Sequence, residues 1–425
     1  MSGPGRSARP SGRRARRDKA RLYRRRRLVA LAVLAVVIAA LAGLVWAATG
    51  GCGADEQPAA GAASPVRAGK AVAKKTYPAP SPSPTVWTGP ASSRLKLRLR
   101  DTIVDQDIAP KSVVSSGSGY VFAQNMMYRH TITVYDTATL KLVKTIPDAI
   151  DPAEFRIKGH GSEDILGAPV ECAFLPDGRF AYISQYSMYG PGFVEGHDNG
   201  SPGQASDSYV YRVSLADLAV DKVIKVGEVP KFVAVTPDSK YVLVSNWQSF
   251  TLSVIDVHTS KVVEEVYLGP YPRGIAVSPD SSTAYVAVMG TTDIAVVDLG
   301  DFSVSWIRGV GAGPRHLCMA GDGRYLYATL NNEGNVAKID PREKTVVDKV
   351  YTGAQPRSMA IAPDGASLFV VNYDSSTMSQ VRIADMKVID TVGTDALPIG
   401  ITYDVPTRSV WLCCYGGSIM VFEQV

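Results

Sequence analysis

The chain has 425 residues, 46% hydrophobic and 20% charged, which excludes a wholly disordered or fibrous protein. Five cysteines over this length exclude a disulfide-built scaffold. The formal charge of +5 hides a division: residues 1–27 carry net +11 and residues 28–94 net +3, which leaves 28 basic and 37 acidic residues, net −9, for 95–425. An acidic globular part argues against general nucleic-acid binding, which needs cations to displace the counterions of phosphate.

The N-terminus reads as a membrane device. Residues 1–27 are a basic tail ending in Arg24 to Arg27, and Leu28 to Ala48 follow as 21 residues without a charge. At 1.5 Å per residue this run spans a hydrocarbon core of about 30 Å. The arginine-rich flank stays in the cytoplasm, so the expected location is a single-pass cell-membrane protein with the rest of the chain outside. Cys52 follows Thr49-Gly50-Gly51, which loosely resembles a lipoprotein processing site and makes Cys52 a lipidation candidate. A cleaved secretion signal is a third fate. All three place the C-terminal part outside the cytoplasm. Residues 49–94 are rich in Ala, Pro, Ser and Gly and read as an unfolded linker, a stalk that holds a domain off the membrane.

Residues 95–425 are a repeat. Pro237-Asp238-Ser239 recurs as Pro279-Asp280-Ser281, Gly321-Asp322-Gly323 and Pro363-Asp364-Gly365, each step 42 residues. A second series, Pro230, Pro272, Pro314, Pro356 and Pro398, keeps the same step, with Pro110 and Pro169 upstream. Within a unit the pattern is strand, turn, strand, loop, strand, turn, strand. In the unit after Pro272 the turn Pro279-Asp280-Ser281 separates two strands, Ile294 to Asp298 is the third and Phe302 to Ile307 the fourth. Four short strands per 40–45 residues predict an all-β propeller of seven blades. The last unit ends at Val425 without a fourth strand, and Leu99 to Asp105 matches the strand it lacks, so the N-terminal strand is expected to complete the last blade and close the ring.

The chain resembles the seven-bladed YVTN-repeat β-propellers. The residues that carry the likeness are Tyr241-Val242-Leu243-Val244-Ser245-Asn246, Tyr120 to Asn125 and Phe369-Val370-Val371-Asn372, with third strands ending in Asp256, Asp298 or Asp340. The resemblance covers about residues 95–425. It implies a surface-exposed or secreted protein, and a few members bind DNA or act near redox cofactors. No catalytic residue of the wider group maps onto this chain.

The candidate site residues lie where loops converge. The residues after the boundary prolines are Lys111, Val170, Lys231, Arg273, Arg315, Arg357 and Ile399. Five of the seven are basic and enter innermost strands on one rim, so Lys111, Lys231, Arg273, Arg315 and Arg357, with His316 beside them, form a candidate anion site at the channel mouth. Two insertions fall on that same face. One, about 148–167, joins blades one and two; the other, about 187–207, interrupts blade two. Tyr186, Tyr189 and Phe193 in the second suit sugar rings or peptides, being flat apolar faces with polar tips. His160 and His197 are the candidate metal ligands, without the tight spacing of a known motif. No cofactor and no catalytic residue is expected. Cys413 and Cys414 are adjacent in a strand and point to opposite faces.

The leading reading is a monomeric, membrane-anchored binding or scaffold propeller for a cell-envelope polymer or partner protein. Two alternatives stand beside it: a metal-dependent hydrolase or lyase with its site at the channel mouth, and a nucleic-acid-binding propeller.

Overall fold

A computed structural model describes residues 89–425 apart from Tyr128. The basic tail, Leu28 to Ala48, Cys52 and most of the linker lie outside the described residues. Among the described residues no helix is long and apolar enough to cross a membrane.

Seven four-stranded antiparallel sheets form the blades of a propeller. Their innermost strands are Ser112–Ser115, Pro169–Phe174, Pro230–Val235, Pro272–Val277, Pro314–Met319, Pro356–Ile361 and Pro398–Asp404. The seventh sheet takes its outermost strand from the start of the described chain, where Leu97–Val104 pairs antiparallel with Ser418–Gln424. In blade four the outer strand is Val304–Ile307, two residues shorter than expected, because Phe302 adopts a left-handed φ of 61°.

The core is divided among the seven spaces between neighbouring blades, and the period of two explains how. In the strand Thr283–Val288, residues Ala284, Val286 and Val288 pack toward blade three, while Tyr285 and Ala287 pack toward blade five. Both faces of a blade are therefore apolar, so the middle strands read as continuous hydrophobic runs. Cys413 and Cys414 obey the same rule: the first packs against blade one and the second against blade six. Outermost strands such as Lys261–Tyr267 are largely exposed and carry charged residues, here Lys261, Glu264 and Glu265, which blunts the sheet edge.

Two local devices repeat around the ring. In the inner turns the carboxylate of Asp280 accepts the Ser278 hydroxyl at 2.5 Å and the Ser282 N–H at 3.1 Å. The next residue is left-handed, Ser281 at φ 60° and Gly365 at 66°, so glycine serves there at no steric cost. At the top of the second strand an asparagine amide holds the start of the third. Asn246 Nδ2 donates to Thr251 Oγ1 at 3.0 Å and Ser253 Oγ at 2.7 Å, and Asn372 does the same to Thr377 and Ser379.

The two insertions share a small core of their own. Ile150, Ile165, Met188, Tyr209 and Tyr211 are buried together. The first insertion holds a short ribbon, Ala149–Ile150 against Ile165–Leu166, and Leu166 bridges to Tyr189 of the second.

The linker side of the domain meets the turn face. Ser92 donates its N–H and hydroxyl to Asp364 of the Pro363-Asp364-Gly365 turn, at 2.6 and 2.7 Å.

Candidate functional site

On the opposite face the blade-joining loops surround a cavity of about 750 Å³ at the mouth of the channel. All five basic residues that follow the boundary prolines line it. Lys111, Lys231, Arg273 and Arg315 are at most 8% exposed. The backbone presenting them is strained: the residue before the boundary proline is left-handed at Val229 (φ 52°), Tyr271 (63°), Gln355 (53°) and Leu397 (60°). For β-branched Val229 this is a costly conformation that only the surrounding structure enforces.

The five cations fall into two groups. Lys231 and Arg357 have partners. The Lys231 ammonium pairs with Asp198 of the blade-two insertion and sits 4.2 Å from the Trp247 ring centre and 5.1 Å from that of Tyr186. Arg357 stacks on Tyr373 at 4.2 Å and donates to Gln355 Oε1 at 2.6 Å. Lys111 and Arg273 make no side-chain hydrogen bond and no ion pair among the described residues, and Arg315 donates once, to the Arg357 carbonyl at 3.1 Å. The nearest compensation is Glu171, whose carboxyl is pushed up by burial while Lys111 and Arg273 pull it down.

This electrostatic setting bears on the lysines. Burial, then the fields of Arg273 and Arg315, push the Lys111 ammonium well below its ordinary range. Burial pushes Lys231 down to about 7, against the pull of Asp198. Burial would raise Asp198, but Lys231 and the Tyr186 hydroxyl outweigh it and keep the carboxylate ionised.

The second insertion is a fixed wall. Trp247 Nε1 donates to the Asp198 carbonyl at 2.8 Å. The Gln248 side chain accepts the His197 N–H and donates to the Ser201 carbonyl, and Glu228 accepts the Gly203 N–H. Tyr186 and Tyr189 face the cavity, their hydroxyls donating to Asp198 at 3.0 Å and Glu195 at 2.9 Å.

Other candidates lie elsewhere. Phe193 lines a separate cleft of about 480 Å³ between the insertions, stacked on His160 with ring centres 3.8 Å apart. His160 lies over Phe193 and His197 is held through its backbone. Among the described residues no group of three or more His, Cys, Asp or Glu could hold a metal ion. His316 is not part of the cavity lining. Its Nδ1 accepts the Met359 N–H at 2.8 Å, and burial pushes it down to about 3, so it is neutral. It meets Phe232 of blade three at 5.3 Å even though blade four lies between them. The intervening residue is Gly274, where a Cβ would come within 2.6 Å of the Arg315 carbonyl and 2.8 Å of the His316 Cα. Phe232 and His316, one residue farther along their strands than Lys231 and Arg315, thus meet beside Gly274 rather than at the cavity.

The residues above the cations escaped sequence reasoning. Trp247, Met289, Tyr373 and Tyr415 line the cavity as a collar. Each follows the second strand of its blade, and the positions 247, 289, 331, 373 and 415 keep the 42-residue step, which was the available signal. His130 also lines the cavity, its Nδ1 2.6 Å from the Gly167 carbonyl. No periodic position announces it, whereas Glu171 stands second after boundary Pro169, the place of Phe232 and His316 in their blades.

No protein-family profile and no curated protein matches the chain. Among solved structures, the hydrazine synthase of Kuenenia stuttgartiensis superposes with a TM-score of 0.59 at 17% identity, over 76% of this chain and 97% of that one. At that identity the likeness supports the seven-bladed propeller fold, and the fold by itself is compatible with a binding or scaffold role.

Proposed function

We propose that this chain is a membrane-anchored, extracytoplasmic binding module of the YVTN-repeat type that takes an anionic ligand in its central cavity. The observation that carries the reading is the convergence of Lys111, Lys231, Arg273, Arg315 and Arg357 on one cavity of about 750 Å³, on a domain whose net charge is −9. A cavity of this size suits a small molecule or one end of a polymer or partner protein. Buried guanidinium groups match carboxylate or phosphate oxygens geometrically. Membrane attachment rests on Leu28 to Ala48, with Cys52 as the alternative lipid anchor.

The test is thermal unfolding of the purified full chain with phosphate, sulfate and glucuronate. A ligand at 100 times its Kd contributes about 2.7 kcal/mol, which for a domain of this size raises Tm by roughly 4 °C. The expected result is a rise with an anion that the Arg273→Ala/Arg315→Ala variant loses. No rise with any anion, from a protein shown to be folded, overturns the reading. Carbonate extraction of membranes tests the anchor: recovery in the soluble fraction would refute it.

A further inference from the structure

The cavity has two tiers with different chemistry, and together they narrow the ligand. This step rests on the anion-binding reading above. The lower tier is Lys111, Arg273 and Arg315, three cations nine-tenths or more buried. Two of them have no hydrogen-bond acceptor among the described residues, and the third has one. Buried donors of this kind are costly unless something accepts from them. Three positive charges against the single carboxylate of Glu171 leave a net +2 when all are ionised. A phosphate monoester carries about −1.5 to −2 at pH 7 and three strong acceptor oxygens. A carboxylate carries one charge and two oxygens, and leaves donors unanswered.

The upper tier is the collar of Trp247, Met289, Tyr373 and Tyr415 around the opening; Trp247 is largely buried, with Lys231 over its ring and Tyr271 against it, while Tyr373 and Tyr415 are half-buried. Across from it stand acceptors for hydroxyl protons: Glu195, Asp198 and Asn199, together with His130. Among the described residues Glu195 accepts from Tyr189 alone, through one of its two oxygens. His130 has its Nδ1 at the Gly167 carbonyl, and its other nitrogen has no hydrogen-bond partner among the described residues. Aromatic faces beside hydroxyl acceptors suit a sugar ring, whose C–H face stacks while its hydroxyls donate.

We propose that the cavity receives a sugar phosphate monoester, its phosphate on Lys111, Arg273 and Arg315 and its ring within the Trp247–Tyr373–Tyr415 collar. The ligand is either a free phosphosugar or the phosphomonoester end of a glycan. A dianion beside Lys111 also opposes burial and the repulsion of Arg273, Arg315 and Lys231, adding to the pull of Glu171. Binding is therefore accompanied by proton uptake.

The experiment is calorimetric titration of the full chain with mannose 6-phosphate, mannose, inorganic phosphate, glucuronate and a mannotetraose bearing one terminal phosphomonoester. Mannose 6-phosphate should bind at least tenfold tighter than inorganic phosphate and glucuronate, and mannose should not bind. Trp247→Leu should weaken mannose 6-phosphate at least tenfold and leave inorganic phosphate within twofold, a split that misfolding does not produce. Lys111→Met should weaken both and remove the proton uptake seen between buffers of different ionisation enthalpy. The tetrasaccharide separates the two sources: affinity equal to that of mannose 6-phosphate points to a glycan end, and exclusion of it to the free sugar. Glucuronate binding as tightly as mannose 6-phosphate, or inorganic phosphate binding as tightly, overturns this assignment and leaves the anion site standing. Silence toward every anion overturns both.

Discussion

Asp198→Asn is the sharpest perturbation of the cavity wall. It keeps the shape of the side chain, an acceptor for the Tyr186 hydroxyl, and the backbone carbonyl that Trp247 holds, and it removes only the charge that faces Lys231. The two ends of this pair differ: the Lys231 side chain is 9% exposed and that of Asp198 68%. An opposite charge at contact typically moves a pKa by 1–3 units, and the solvated carboxylate puts this pair in the lower half of that range. The loss is then about 1.4–2.8 kcal/mol at 1.4 kcal/mol per unit. It does not appear at every pH. With Asp198 present, Lys231 titrates at about 7, far below its unfolded value of 10.5; without it the folded value falls further. Above about pH 8 the lysine is neutral in both folded proteins, and the variant costs little. Below the variant's folded value the lysine is charged in both, and the full difference appears. Thermal unfolding of the full chain at pH 5.0, 6.5 and 8.5 reads this directly. The expected deficit is roughly 2–4 °C at pH 5 for a domain of this size, shrinking toward zero at pH 8.5. A deficit that is constant with pH, or that grows as pH rises, would refute the argument that the pair is governed by the ionisation of a buried lysine.

Four further outcomes follow from particular contacts. Gly274→Ala puts a methyl against the backbone of Arg315 and His316, which cannot swing away, so it should cost about 1–3 kcal/mol by denaturant titration; Gly393→Ala, with nothing within 4 Å, should be near neutral. Asn246→Ala strips two bonds from the start of a strand and leaves Thr251 and Ser253 without this partner; a loss of about 1–3 kcal/mol in the same assay is expected, and a neutral result would remove the asparagine clamp as a feature of the blades. Burial pushes the thiols of Cys318 and Cys414 up to about 12, so mass spectrometry should find both unalkylated by iodoacetamide at pH 8 in the native protein and modified once it is unfolded. Arg315→Met should leave Tm unchanged or raise it, because it removes a buried cation repelled by Arg273 and Arg357, while abolishing the response to anions.

The blades were legible in the sequence because each is built from local signals that repeat: a Pro-Asp turn, a run of alternate residues buried on both faces, and a boundary proline every 42 residues. The same period located Lys231, Arg273, Arg315 and Arg357. It also contained Trp247, Met289, Tyr373 and Tyr415, but apolar residues at the end of an apolar strand do not stand out as lining until the ring brings them together. His316 shows the opposite error. Its neighbour Arg315 faces the cavity, yet one step along a strand reverses the direction of a side chain, and His316 instead meets Phe232 across Gly274. His130 comes from a loop of blade one outside the repeat pattern, and Glu171, though second after boundary Pro169, is the only acidic residue at that position, so only three-dimensional placement shows either beside the cations. Phe193 and Tyr189 are four residues apart in one loop and end in different clefts, a separation set by the shared core of the two insertions.

The two faces of this ring are built from the same repeat, and the contrast between them bears on where function lies. Both carry left-handed residues at regular positions, Ser239 and Ser281 on the turn face and Val229, Tyr271, Gln355 and Leu397 on the loop face. On the turn face the strain is answered locally: Asp238 and Asp280 accept from the hydroxyls and N–H groups around them. On the loop face it is compounded. The same short segments bury like charges side by side, and among the described residues Lys111 and Arg273 have no side-chain acceptor and the buried Arg357 Nε has no partner. Folding alone gives no reason to concentrate these costs, since apolar residues at the five positions would pack a narrower channel without repulsion. Local rules that hold on one face of this repeat thus fail together on the other, and the loop face is where the anion-binding proposal is to be tested.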